Sequence, residues 1–301
     1  MSERGFRPVP SPDPRVGVVV LTHNRADEVS GTIERLAALP ERPKVVVVDN
    51  ASSDGTSVLL QRRFPKAQIV RLDMNVGAAG RNIGIRLCDR PYIALCDDDT
   101  WWQPGSLSRA ADLMDRHPSL AVITGKVLVG EQERIDSTCV LMSQSPLGIP
   151  TGLPGPALLG FLAGASLARR IAFLQVGGFE PRFFLGAEEQ MLAPDLASAG
   201  WALVYIEAVV IHHHPSPHRD ARARRRLLIR NGLWTVWLRR PVGRAVAITA
   251  DVLRQCTRDR AARAALIEAI QGLPWVIRNR RVIPTRIERQ LLQIERQRRE
   301  P

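Results

Sequence analysis

Val16 to Leu21 is an unbroken apolar run, and Lys44 to Val48, Gln68 to Leu72 and Tyr92 to Cys96 repeat the pattern. Such runs predict strands covered on both faces. Between the first two, Val29, Ile33, Leu36 and Ala37 recur at helical spacing, predicting a helix over 25–39 that Pro40 and Pro43 close. Helices are likewise predicted over 56–64 and 77–87. The sum is β-α-β-α-β-α-β with short links, an α/β fold: a Rossmann-like, mostly parallel sheet flanked by helices. Beyond it, a helix at 104–116, a strand at 120–124, a helix near 187–199 and a strand at 202–211 are predicted. Residues 131–151 read as irregular strands and a mobile loop. Residues 215–218 read as a linker; 219–240, 242–257, 260–271 and 284–299 read as helices. Met1 to Arg15, with four prolines, reads as a disordered lead-in.

In doubly wound sheets ligands bind beyond the carboxyl ends of the strands. The polar clusters fall there: Thr22-His23-Asn24 after the first run, Asp49-Asn50 after the second, Asp97-Asp98-Asp99 after the fourth. Three adjacent carboxylates repel one another unless a cation or hydrogen bonds offset the repulsion. Hard oxygen donors suit Mg²⁺ or Mn²⁺, with substrate phosphates completing the shell. A solvated acidic turn is the alternative.

Composition narrows this. The 301 residues fit one α/β domain of about 210 residues with a further helical region. The net charge of +12 is unevenly spread: 1–214 carry 21 Lys+Arg against 23 Asp+Glu, whereas 215–301 carry 21 arginines against 7 acids. The four cysteines lack the spacing of a disulfide framework or a zinc site and fit reduced thiols of a cytosolic protein. No window of about 20 residues is uninterrupted and apolar. A cytoplasmic protein, at most peripheral on the inner face of the cell membrane, is expected.

The segments VGVVVLTHNR (16–25), VVVVDNASSDGT (45–56), NVGAAGRNIGI (75–85), ALCDDDTWWQPGSL (94–107), GASLARR (164–170), VGGFEPRFFLGAEE (176–189) and VVIHHH (209–214) are similar, in order, to the motifs of family 2 glycosyltransferases with the GT-A fold. The resemblance covers about 200 residues. It implies a nucleotide-sugar-binding half over 16–130, an acceptor-binding half over 131–214 and a basic helical C-terminal appendage over 215–301. It also implies an inverting transfer from a UDP- or dTDP-sugar to a hydroxyl of a glycan or lipid-linked acceptor, as in cell-envelope polysaccharide or glycolipid synthesis, with Mn²⁺ or Mg²⁺ as cofactor.

By that resemblance Thr22, Asn24, Arg25, Arg81, Asn82 and Asp97 lie against the nucleotide, and Asp49 accepts from the imide N–H of its base. Asp98, Gly164 and Ala165 approach the donor sugar. Asp99 leads the metal ligands, with Asp97 and His212. A base must take the acceptor proton. Glu188 and Glu189 stand where the family commonly has Glu-Asp, so this carboxylate reaches one methylene further. Trp101 and Trp102 read either as packing beneath the metal loop or as an acceptor platform.

Residues 219–240 interleave arginines with Leu227, Leu228, Leu233, Trp234 and Trp237. They fit an interfacial helix on anionic lipid, or a hairpin packed on the catalytic body with its arginines outward. Nucleic acid is not an expected partner, since no nucleic-acid module accompanies the arginines. Two other functions compete: a nucleotidyltransferase on a similar sheet, which would want a Gly-rich phosphate loop after the first strand, and a non-catalytic membrane or nucleic-acid binding protein led by the tail.

Overall fold

The structure, a computed structural model, describes residues 12–215 and 221–297. The first half follows the apolar runs. β1 (Val16–Thr22), α1 (Ala26–Ala37), β2 (Lys44–Asp49), α2 (Thr56–Arg63), β3 (Gln68–Arg71), α3 (Gly80–Leu87) and β4 (Tyr92–Asp97) alternate, with a 3-10 turn at Gly77–Ala79 before α3. Strands β3, β2, β1 and β4 are parallel neighbours in that order. Val18, Val19, Val20, Val46, Val47, Ile93 and Leu95 are fully buried, as strands covered on both faces must be.

The second half comprises β5 (Thr100–Trp102), α4 (Ser106–Arg116), β6 (Leu120–Val129), β7 (Arg134–Ile135), α5 (Ser137–Ser143), β8 (Ala165–Arg169), α6 (Arg170–Gln175), α7 (Glu188–Ser198) and β9 (Ala202–His213). The sheet continues from β4 as β8, β6, β9 and β5, with β7 on β6. Antiparallel pairs enter in this half: β8 runs antiparallel to β4 and β6, and β5 antiparallel to β9. The 131–151 stretch contains a helix where strands were expected. Asp136 caps it, its carboxylate accepting from the Thr138 N–H at 2.7 Å.

Of the expected lead-in, residues 1–11 lie outside the described residues, but Asp13 and Arg15 are seated. The Asp13 N–H donates to the Glu41 carbonyl, and Arg15 pairs with Asp13, Asp112 and Asp115. Residues 216–218 of the expected linker also lie outside the described residues.

α8 (Ala221–Arg239), α9 (Val242–Cys256), α10 (Arg260–Gln271), α11 (Leu273–Asn279) and α12 (Thr285–Gln297) complete the chain. They do not stand apart from the sheet domain. Leu233, Trp234, Leu238, Val252, Ala269 and Val276 share one apolar cluster with Phe183 and with Met191 of α7. Ile283 and Ile287 share another with Leu159 and Ala197. The arginines of 219–240 turn largely to carboxylates of this same chain: Arg225 to Asp259, Arg226 and Arg230 to Glu268, Arg239 to Asp195, and Arg240 to Glu288 and Glu295. Those pairs favour the packed hairpin over the lipid-facing helix. No helix among the described residues is long and apolar enough to cross a membrane.

Candidate active site

The parallel register brings the strand ends level: Thr22 lies beside Asp49 on β2, and Leu21 beside Asp97 on β4. A cleft of about 690 Å³ opens at this edge, lined among others by Thr22, Arg25, Asn50, Arg81, Asp97, Asp98, Asp99, Gly164, Ala165, Glu188, Glu189 and His213.

The three aspartates have three different settings. Asp97 faces the cleft, its side chain 43% exposed, and accepts from the buried guanidinium of Arg81 on α3. It lies so close to Gly164 that a Cβ there would stand 2.6 Å from its Oδ2. Asp98 turns inward, accepting from Thr22 Oγ1 at 3.1 Å and Arg25 Nη1 at 2.9 Å. Burial, opposed by Arg25 and reinforced by Asp97 and Asp99, pushes its carboxyl up to about 7. The setting suits an anchor for the β1–α1 loop better than the donor-sugar contact expected of Asp98. Asp99 lies 3.6 Å from Arg25 Nη1 and 3.5 Å from His213 Nε2.

Thus His213, not His212, accompanies Asp99. His212 stacks on Trp101 with ring centroids 5.5 Å apart, and its Nδ1 lies 3.4 Å from Glu133. His214 tilts against the same indole, its ring centroid 4.8 Å from that of Trp101. The physical reason is register. β6 and β9 slip between Gly125 opposite Ile206 and Lys126 opposite Val210, and β5 then pairs Thr100 with His213. The slip ends at Val210, and beyond it the strand alternates, so His212 shares a side with Trp101 and His213 falls on the side of Asp99. Trp102 is fully buried, and Trp101 carries the Arg35 guanidinium 4.2 Å above its ring, so neither tryptophan lines the cleft.

Several residues expected at the nucleotide also make scaffold contacts. Asp49 is 0% exposed; its carboxylate accepts from the Ser52 N–H at 2.9 Å and from the Ser57 hydroxyl, capping its own loop. Its neighbour Asn50 lines the cleft. Asn24, at φ 51°, accepts from the Ser53 N–H at 2.7 Å and joins the first two strand-end loops. Asn82 exchanges hydrogen bonds with the Phe179 backbone at 2.7 and 2.9 Å. Thr22, Arg25 and Arg81 do reach the cleft.

Glu188 and Glu189 open α7, where unpaired backbone N–H groups favour acids. Glu188 is buried, and its Oε2 has no hydrogen-bond partner among the described residues. Burial raises its carboxyl, against the pull of Arg81. Glu189 accepts from the Ala163 N–H at 3.3 Å. Burial first and the Glu188 charge second push it up to about 7, opposed by Arg81.

The sequence pattern missed two contributions. Phe184 and Leu185 line the cleft because the Ala78 N–H donates to the Phe184 carbonyl at 2.6 Å. Arg224 and Leu227 line it from α8, so the basic segment reaches the site itself. The arginine run signalled charge there but not its direction.

No group of three or more His, Cys, Asp or Glu among the described residues is spaced to hold a metal ion unaided. Mg²⁺ or Mn²⁺ commonly takes one or two protein carboxylates and completes its shell with water and phosphate oxygens. Asp97 and Asp99 both line the cleft and fit that partial set of one or two carboxylates.

The profile described as Glycosyl transferase family 2 matches residues 17–155. The chain is 24% identical over 294 residues to the N-acetylglucosaminyl-diphospho-decaprenol L-rhamnosyltransferase of Mycobacterium tuberculosis, covering 83% of this chain and 96% of the relative. It is 30% identical over 98 residues to the succinoglycan biosynthesis protein ExoU of Rhizobium meliloti, covering 31% of this chain and 29% of that one. Among solved structures it resembles the Pyrobaculum calidifontis mannosyltransferase in complex with GDP-Man and Mn²⁺ (TM-score 0.57, 19% identity, 96% of this chain and 89% of that one). It also resembles S. aureus TarS 1–349 in complex with UDP-GlcNAc (TM-score 0.59, 17% identity, 92% and 83%). At these identities the structural likeness speaks for the fold.

Proposed function

We propose that the chain is a family 2 glycosyltransferase and that it moves a sugar, with inversion, from a UDP- or dTDP-sugar to a hydroxyl of a lipid-linked glycan acceptor in cell-envelope synthesis. The observation that carries this reading is one cleft lined both by Asp97, Asp99 and His213 and by the Glu188-Glu189 pair. The long match to a rhamnosyltransferase whose name states a diphospho-decaprenol acceptor supports the acceptor class.

Asp97, Asp99 and His213 would hold Mn²⁺ or Mg²⁺ together with the donor diphosphate. A bound divalent ion supplies charge neutralisation as the nucleoside diphosphate leaves. Arg81 holds Asp97 toward the cleft, and Gly164 leaves room for that carboxylate and for the donor sugar. Glu189 takes the proton from the acceptor hydroxyl. Its raised pKa supports the assignment, since a base works best when its pKa lies near the working pH. Glu188, buried beside it, keeps that pKa high. Peripheral attachment at the inner face of the membrane would bring the site to such an acceptor.

The test is calorimetric titration with UDP and dTDP, each with and without MnCl₂, followed by donor hydrolysis across a panel of nucleotide sugars. Nucleotide binding that Mn²⁺ strengthens, and that Asp99→Ala renders metal-independent, is expected. If Asp99→Ala binds with undiminished metal dependence, the metal assignment fails. Release of pyrophosphate in place of a nucleoside diphosphate would replace the reading with nucleotidyl transfer.

A further inference from the structure

The segment joining the 3-10 turn Pro181–Phe183 to α7 is built from unusual backbone. Phe184, Gly186 and Ala187 all have positive φ, at 61°, 90° and 64°. Two of these residues carry side chains, which rarely adopt that region without outside support. The next residues are Glu188 and Glu189. Whatever holds this segment therefore sets where α7 begins and where both carboxylates point.

Support comes from α8. Asn231 is 0% exposed. Its Nδ2 lies 2.9 Å from the Phe183 carbonyl, 3.1 Å from that of Leu185 and 2.6 Å from that of Gly186. Arg230 Nη2 adds a bond to the Phe183 carbonyl at 2.8 Å, and Glu268 holds Arg230 in turn. Trp234, one turn on, packs against Phe183 with ring centroids 6.1 Å apart. Leu228 closes the space beside Gly186: a Cβ there would stand 2.9 Å from its Cδ2. On the nucleotide side, the Ala78 N–H holds the Phe184 carbonyl, and Gly77 approaches it more closely than any Cβ would permit. The segment is thus clamped between the donor wall of the cleft and α8.

We propose that Asn231 is the positioning residue for the Glu188-Glu189 pair, so that α8 is part of the transfer machinery and not a detachable membrane arm. This rests on Glu189 being the base. Asn231 touches neither substrate nor the reacting atoms; it acts by satisfying carbonyls that otherwise face a buried, strained turn. An amide at this position suits the task, since its NH₂ group offers two donors and no charge.

The test uses the full chain with Asn231→Ala and with Asn231→Ser, which keeps one donor and covers the case in which the alanine variant does not fold. Two readouts need no substrate. Amide hydrogen exchange over 184–189 is expected to accelerate at least tenfold in a folded variant, while exchange in β1 and β4 stays as in the parent. The Glu189 carboxyl, followed by ¹³C NMR and assigned with Glu189→Gln, is expected to titrate lower as the turn loosens and water enters. Glu188 and Arg81 are the charges that face it, and Asp97 faces Glu188 in turn. With a donor in hand, kcat falls on the order of 100-fold while UDP affinity in Mn²⁺ stays within twofold. If either variant leaves the 184–189 exchange and the Glu189 titration unchanged, the proposal is overturned, even if the melting temperature drops. A loosened turn with no effect on kcat would instead count against Glu189 as the base.

Discussion

Gly164→Ala isolates one contact. The added methyl would stand 2.6 Å from Asp97 Oδ2 and 2.9 Å from its Cγ, where ordinary contact begins near 3.4 Å, so one partner must give about 0.8 Å. The backbone is poorly placed to yield. The Gly164 carbonyl accepts from Thr100 Oγ1 at 3.0 Å, and Thr100 Oγ1 in turn accepts from the Asp97 N–H at 2.9 Å. The carboxylate must therefore swing, straining its pairing with the buried Arg81. A displacement near 1 Å at a reacting centre costs on the order of 100-fold, about 2.7 kcal/mol.

Stability is expected to change by less, about 1 kcal/mol, because Gly164 does not occupy the left-handed region and Asp97 is open on its cleft side. The assay is titration of parent and variant with UDP and with dTDP in MnCl₂, with urea unfolding alongside. Gly243→Ala is the control, since a Cβ there meets nothing within 4 Å. The expected result is nucleotide affinity reduced roughly 100-fold in Gly164→Ala and unchanged in the control. If Gly164→Ala binds within twofold of the parent, Asp97 is not a nucleotide or metal contact and the donor-site assignment falls with it.

Glu189→Gln is expected to lower turnover by a factor of about 10² to 10⁴, and the parent's rate should fall on an acid limb centred near pH 7 that the variant lacks. Because the folded carboxyl titrates above its unfolded value, its contribution to stability is full below about 4.5 and lost as pH rises through 7. Glu189→Gln should therefore raise the melting temperature more at pH 8 than at pH 4. His213→Ala should weaken Mn²⁺-dependent nucleotide binding several-fold, whereas His212→Ala, which unstacks from Trp101, should leave it unchanged; titration of both variants distinguishes them. Arg239→Ala removes a two-bonded partner of Asp195 at 2.5 and 2.9 Å and should cost about 2 kcal/mol in urea unfolding, with the Mn²⁺-dependent binding of UDP retained.

The parallel half of the fold was legible because its strands are buried on both faces and need no alternation to be found. The strand-end rule then located the site from Thr22, Asp97 and Asp99 alone. What escaped depends on register and on long-range packing. Thr100 to Trp102 is too short to show periodicity as a strand, and Ser137 to Ser143 is a helix marked mainly by its Asp136 cap. The three histidines could not be sorted without the pairing of β5 on β9. Asp49 and Asn82 have side chains equally suited to a ligand or to a nearby backbone group. In the structure Asp49 bonds within its own loop, and Asn82 to Phe179, 97 residues away. Asn231 lay inside an arginine run whose charge concealed its neutral neighbour.

The arginine surplus over 215–301 also takes on a different meaning. Arg225, Arg226, Arg230, Arg239, Arg240 and Arg244 each meet a carboxylate of this chain, so much of the charge is matched within the fold. The cleft itself carries Asp97, Asp98, Asp99, Asp136, Glu188 and Glu189 against Arg25, Arg81 and Arg224. Two of those acids, Asp98 and Glu189, titrate near 7, which is how so many carboxylates share one cavity without all being charged. A nucleoside diphosphate entering this cleft adds further negative charge, and two of its three arginines, Arg25 and Arg81, are already engaged by aspartates. On the proposed function, a divalent cation is expected to strengthen binding of the donor at neutral pH. The same reasoning makes nucleotide affinity without metal rise as pH falls from 8 to 6 and the two carboxyls protonate, a trend that calorimetry with EDTA present would reveal. Affinity independent of both pH and metal would contradict it.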